Sequence, residues 1–245
     1  MIVWHQGPLA GLADPGDAPV AWSVRLDDPA MEALAAGAPL RADDLADLAG
    51  QPQAGMRAVR RRLAKLLLAR LAGVHPDAVA IGRHPGGAPA VRAPAGWHLS
   101  VAGRWPLCLL GAGRRPLGVD VEPADAPTPP DDALTPAERA DLAGATPHER
   151  LARWTAKEAH AKLFGVAARA VPEEIATCRD GDVLEAVSAA GRSVCYVRQD
   201  RAAVRAVAVP ALVEGRPALS ERGTCFDKLS TNGQGASTPP PLPAR

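Results

Sequence analysis

Hydrophobic positions along the chain follow two different periods. Residues 18–27 alternate apolar and polar side chains around Val20, Trp22 and Val24, the pattern of a half-buried strand. From 55 to 72 the period is helical: Met56, Val59, Leu63, Leu66, Leu67 and Leu71 share a face, and Gly73 ends the run. On a neighbouring face Arg57, Arg61 and Lys65 stack at i, i+4 and i+8. Residues 83–96 are rich in glycine and proline and predict turns bordering a short strand. Two strands are expected next, over 107–110 and 117–121, joined as a hairpin through the turn-rich GAGRRP of 111–116.

Residues 123–133 form a polar, proline-laden loop that can be neither helix nor central strand. Thr135-Pro136-Ala137-Glu138 then reads as a helix start, with a threonine cap, proline at the first position and Glu138 closing a capping box. A longer helix is expected over 147–164, ending at Gly165. Apolar alternation at 183–187, 194–197 and 204–209 predicts a meander of strands. After about residue 215 the chain turns to Gly, Ser, Thr, Asn and Pro and has too little apolar content to bury, so disorder is expected for 216–245. The fold class expected is α+β, with two lobes of similar size over 1–115 and 116–215.

Composition narrows the partners. Hydrophobic residues make up 47% of the chain and aromatics only 3%, so Ala, Leu and Val must fill the core. A net charge of +1 gives no basic field for nucleic acid or an anionic membrane, and Arg60-Arg61-Arg62 fan around their helix. No run of 18 apolar residues and no basic-apolar leader is present, which points to a soluble, cytoplasmic protein. Cys108, Cys178, Cys195 and Cys225 lie far apart with no CxxC pair, which argues against a zinc site and reads as free thiols.

Two constellations carry candidate chemistry. In Gly118-Val119-Asp120-Val121-Glu122, strand geometry puts Asp120 and Glu122 on one face and the valines on the other. Paired carboxylates suit Mg²⁺, which is commonly held by one or two carboxylates plus phosphate oxygens. In WTAKEAHAK (154–162), Trp154, Glu158 and Lys162 fall on one helical stripe. Alone, the first is an ordinary acidic strand end, and the second is a Glu–Lys pair worth about 0.2–0.5 kcal/mol.

Together, GVDVE followed by a capped helix and WTAKEAHAK resembles the G-x-D-x-E and W-x-x-K-E-x-x-x-K signatures of the Sfp-type 4′-phosphopantetheinyl transferase superfamily. LTPAERADL resembles the family's helix between the motifs, and helix 55–72 stands where the family has a basic helix. The similarity runs over about residues 20–210. It implies a pseudo-dimer of two α+β lobes with the active site in the cleft between them, binding coenzyme A and Mg²⁺. It implies Asp120, Glu122 and Glu158 as metal ligands, and Glu158 and Lys162 as catalytic residues. Arg57, Ser100, Lys157 and Lys162 are implied to hold the coenzyme. The reaction implied is transfer of phosphopantetheine to a serine of an acyl or peptidyl carrier protein, by a monomer. Whether Glu158 is base or metal ligand stays open.

Two positions depart from the family. Val101 stands where many relatives carry a histidine that contacts the 3′-phosphate of coenzyme A, and Ala88 replaces a lysine in a G-K-P segment. Each lost charged hydrogen bond costs about 1.5–3 kcal/mol of binding. A weakened grip predicts poor discrimination against dephospho-coenzyme A. It also leaves open a second reading, a non-catalytic relative that binds coenzyme A or a carrier protein as an adaptor.

Overall fold

A computed structural model describes residues 1–13 and 15–211. Strand β1 (Val3–Gln6) runs parallel to β2 (Val20–Arg25). Val20, Trp22 and Val24 of β2 enter one apolar cluster, as the alternation predicts. Ala21 is equally inaccessible and belongs to a second cluster on the opposite face. The strand is therefore buried on both sides, because another sheet covers the face that carries small residues.

Helices α1 (Pro29–Ala36), α2 (Ala42–Leu48) and α3 (Ala54–Ala72) follow. The apolar face of α3 lays Leu63, Leu67 and Leu68 into the Trp22 cluster, and all three are fully buried. Burial on that scale contributes about 1.5–3 kcal/mol per side chain. Gly73 closes the helix in the left-handed region, at φ 65°, and its N–H reaches Ala69 O. Strands β3 (Ala80–Arg83) and β4 (Pro89–Ala93) form a separate two-stranded ribbon. Strands β5 (His98–Arg104) and β6 (Leu107–Gly113) form a hairpin and complete a sheet of order β1-β2-β6-β5.

The hairpin expected between 107–110 and 117–121 does not form. Both edges of β6 are already taken by β2 and β5. Strand β7 (Gly118–Pro123) instead crosses the face of β6, where Gly111 leaves room: a Cβ there would collide with the Val119 side chain. The remaining strands, β8 (Ala176–Asp180), β9 (Val183–Ser188), β10 (Gly191–Gln199) and β11 (Ala203–Pro210), make the expected antiparallel meander. β7 pairs with β11 at its edge, giving a second sheet of order β7-β11-β10-β9-β8. Ala21 and Leu109 of the first sheet meet Val119, Val121 and Val207 of the second in one buried cluster.

Between β7 and β8 lie α4 (Pro136–Asp141) and α5 (Pro147–Leu163). The capping box forms as read: Thr135 Oγ1 accepts from Glu138 N at 3.1 Å, and Glu138 Oε2 accepts from Thr135 N at 2.7 Å. α5 packs on the second sheet through small residues, Ala156 and Ala159 against Ala206 and Ala208. Such an interface needs close backbone approach rather than aromatic bulk, in keeping with the aromatic-poor composition. The class is mixed α+β. Cys108 and Cys195 are buried free thiols, whereas Cys178 is disulfide-bonded, which corrects its reading as free. The segment 216–245 and Cys225 lie outside the described residues. Among the described residues no helix is long and apolar enough to cross a membrane.

Candidate active site

Gly118 sets the distance between β7 and α5. A Cβ at this position would collide with Ala159 O and Leu163 N of the helix backbone. With only hydrogen there, the helix lies directly on the strand. The stripe of α5 then runs along the carboxylate face of β7. Trp154 Nε1 donates to Glu122 Oε1 at 3.4 Å, and Lys162 Nζ donates to Asp120 Oδ1 at 2.6 Å. Glu158, half-buried, lies on the stripe between these two contacts.

Asp120 and Glu122 are buried, 5% and 6% exposed. Asp120 Oδ2 is buried with no hydrogen-bond partner. Glu122 is also held by Arg104, whose Nε lies 3.0 Å from Oε2. Burial, then the charge of Asp120, pushes the Glu122 carboxyl above the usual range, and Arg104 opposes the rise. Glu158 is raised by burial and next by Asp120, while Lys162 pulls it back. Two raised carboxyls gathered around the charge of Asp120, beside its unsatisfied buried oxygen, make a site that gains by accepting a cation.

All three donors are hard oxygens of the kind Mg²⁺ takes. Among the described residues no three His, Cys, Asp or Glu side chains already converge to hold a metal. A cation bound by one or two carboxylates and completed by ligand phosphates does not need such convergence. The residues present therefore fit Mg²⁺ in donor chemistry.

Lys162 also borders a cavity of about 570 Å³, within the usual range for small-molecule sites. Lys162 lines it from one side and α3 from the other, through Arg57, Arg60 and Arg61, with Ser100 and Val101 of β5 in the wall. The basic stripe of α3 is largely neutralised by α2. Arg61 bridges Asp44, Asp47 and Ile81 O, and Lys65, fully buried, donates to Asp44 Oδ2 and Pro39 O at 3.0 Å each. Arg57 lines the cavity and donates Nε to Pro52 O at 2.9 Å. Ser100 lines it as well, but its Oγ accepts from Val119 N at 3.0 Å, tying β5 to β7.

Residues 116–207, which contain β7, α4, α5 and most of the second sheet, match the model of the 4′-phosphopantetheinyl transferase superfamily. That segment is a 4′-phosphopantetheinyl transferase superfamily domain. No curated protein matches the chain at a significant level. Within the transferase domain lie all three carboxylates and Lys162, while Arg57 and Ser100 come from the chain before it.

One expected site residue is elsewhere. Lys157 sits about 100° around α5 from Glu158 and points into the protein, 1% exposed. Its Nζ donates to Glu138 Oε2 at 2.6 Å, Ala133 O at 2.8 Å and Pro172 O at 3.0 Å. Burial lowers the Lys157 pKa, and the Glu138 hydrogen bond opposes it. Its three N–H groups are engaged there, and Lys157 is not among the residues that line the cavity with Lys162. Glu138, in turn, serves both the capping box and this pair, and also accepts from Thr177 N and its hydroxyl. Sequence reasoning missed Arg104 as a partner of Glu122, since β5 was not read as a strand beside β7. It also passed over Arg60, hidden within a run of arginines.

Proposed function

We propose that the chain transfers the 4′-phosphopantetheine arm of coenzyme A to a serine hydroxyl of an acyl or peptidyl carrier protein, releasing 3′,5′-ADP. The observation that carries this reading is the α5 stripe of Trp154, Glu158 and Lys162 against Asp120 and Glu122, with Lys162 also lining a cation-rich cavity. Mg²⁺ held by one or two of the carboxylates Asp120, Glu122 and Glu158 would neutralise pyrophosphate charge. Lys162, at the junction of cavity and carboxylates, adds a fixed positive charge beside the leaving group. Glu158 receives the serine proton as the serine oxygen bonds to phosphorus and the bridging P–O bond to 3′,5′-ADP breaks. Trp154 and Arg104 hold Glu122 in place. In this reading the lobes 1–115 and 116–215 enclose the donor between them, and the protein acts as a cytoplasmic monomer.

The test is intact-mass spectrometry of an apo carrier protein after incubation with the protein, coenzyme A and Mg²⁺. A phosphopantetheine-sized gain that disappears with Glu158→Gln and with chelator is expected. No gain on several carriers, with coenzyme A still bound, would replace the transferase with the adaptor reading.

A further inference from the structure

A second cavity, of about 530 Å³, shares no lining residue with the first and is bordered by none of the three carboxylates. Its walls come from both sheets. Ser23 of β2 sits on the strand face that carries Ala21, and Arg205 of β11 stands opposite Val121, so both project into the layer between the sheets. Both line the cavity. Arg205 is only 4% exposed, and the bond from its Nε to Ser23 Oγ at 2.9 Å joins residues 182 positions apart.

Arg205 is only partly engaged. Its Nη1 donates to Asp200 Oδ2 at 2.8 Å and to Ala203 O at 3.4 Å, and among the described residues its Nη2 makes no hydrogen bond. Ser23 Oγ accepts from Arg205, which leaves its own O–H to donate. The carboxylates in the wall are already taken. Asp200 accepts from Arg205, Ala202 N and Ala203 N, and Asp28 caps α1 by accepting from Ala30 N at 2.9 Å. Arg25 is held by Asp27. Arg201 is exposed, lines the cavity and has no carboxylate partner among the described residues.

The uncommitted groups are thus the Nη2 amino group of a buried guanidinium, a hydroxyl and an exposed cation. All of them donate, and only the charge of Arg201 is unanswered, which fits a monoanion. Val24, Met31 and Leu107, each at most 6% exposed, make the rest of the wall apolar. Inorganic phosphate would leave that wall unused, whereas a carboxylate on an apolar body uses both parts.

We propose that this cavity binds a small apolar monocarboxylate, its oxygens held by Arg205, Ser23 and Arg201 and its body laid along Leu107 and Met31. The proposal does not depend on the transferase reading. Touching β2 and β11 together, the ligand bridges the two sheets.

Calorimetric titration of the full chain with octanoate, octanamide and inorganic phosphate tests it. Octanoate is expected to bind at least about tenfold tighter than octanamide, as one charged hydrogen bond gives, and tighter than phosphate. Arg201→Gln and Ser23→Ala are each expected to weaken octanoate about threefold, and the double variant about tenfold. Ala202→Trp fills the cavity from an exposed position and is expected to abolish binding. Thermal melts confirm that each variant is folded. Failure of the unaltered chain to bind octanoate, or equal affinity for octanoate and either control, overturns the proposal. So does octanoate binding that persists unchanged in folded Ala202→Trp or in the folded double variant.

Discussion

Replacing Lys157 by methionine separates a structural lysine from a ligand-binding one. Methionine keeps the length and apolar character of the stem, so the change is confined to the ammonium group. That group makes three hydrogen bonds, to Glu138 at 2.6 Å, Ala133 O at 2.8 Å and Pro172 O at 3.0 Å, and both members of the pair are at most 2% exposed. Removing one partner of a buried ion pair costs about 3–5 kcal/mol. Glu138 keeps three other donors, Thr135 N, Thr177 N and the Thr177 hydroxyl, which places the loss near the lower end, about 3 kcal/mol. For a domain of this size that lowers Tm by roughly 6–12 °C. Urea unfolding should show a reduced midpoint at unchanged m, while coenzyme A affinity measured on the folded variant stays within about twofold of the original. Removing Glu138 as well, in Lys157→Met/Glu138→Leu, should return much of the stability, since a buried pair replaced by apolar groups is often near neutral. An unchanged midpoint together with a tenfold loss of coenzyme A affinity would refute this reasoning and return Lys157 to the cavity.

Gly118→Ala places a methyl into the backbone of α5 at Ala159 and Leu163 and should cost about 3 kcal/mol or more by denaturant unfolding; a loss below about 1 kcal/mol would mean that strand and helix are not held this close. His160 is fully buried between Ser193 and Ser188, each at 2.8 Å, and burial pushes its pKa down from 6.5 to about 4. Because the fold favours the neutral ring, its stabilisation is complete above about pH 6.5 and is lost as pH falls toward 4, amounting to about 2–3 kcal/mol at pH 4.5. Unfolding at pH 7 and 4.5 should therefore show a smaller acid loss for His160→Gln than for the original chain, and equal losses would rule the histidine out as the cause.

What the sequence made legible was local. The stripe of α5 needs only the helical period, and the carboxylate face of β7 needs only the period of two, so Asp120, Glu122, Glu158 and Lys162 were all identifiable before any tertiary contact was known. Pairing partners were not legible in this way. The 107–110 strand was joined to 117–121 because the two are neighbours in sequence. The segment HLSVAGR, which becomes β5, carries weak β-propensity and gave no sign that it would claim the open edge of β6. Misplacing β5 also hid Arg104 beside Glu122, because that contact exists only once β5 and β7 are brought together. The angular position of Lys157 was available from the start. It lies about 100° from Glu158, whereas Lys162 is only about 40° away.

The two helices of the site use basic residues in opposite ways, and the reason is what packs against each. On α5 the stripe residue Lys162 reaches the cavity, and the off-stripe Lys157 is buried, because α4 delivers Glu138 to that side. On α3 the stripe residues Arg61 and Lys65 are buried, because α2 delivers Asp44 and Asp47 to them, while Arg57 at the head of the stripe and the off-stripe Arg60 line the cavity without a carboxylate partner among the described residues. A basic side chain on these helices is thus structural where a neighbouring helix supplies a carboxylate, and available to a ligand where none does. The rule depends on counter-ions from other segments, Asp44 and Asp47 ahead of α3 and Glu138 ahead of α5, rather than on the spacing of the cations themselves. Periodicity could therefore find both stripes without telling which one faced the chemistry.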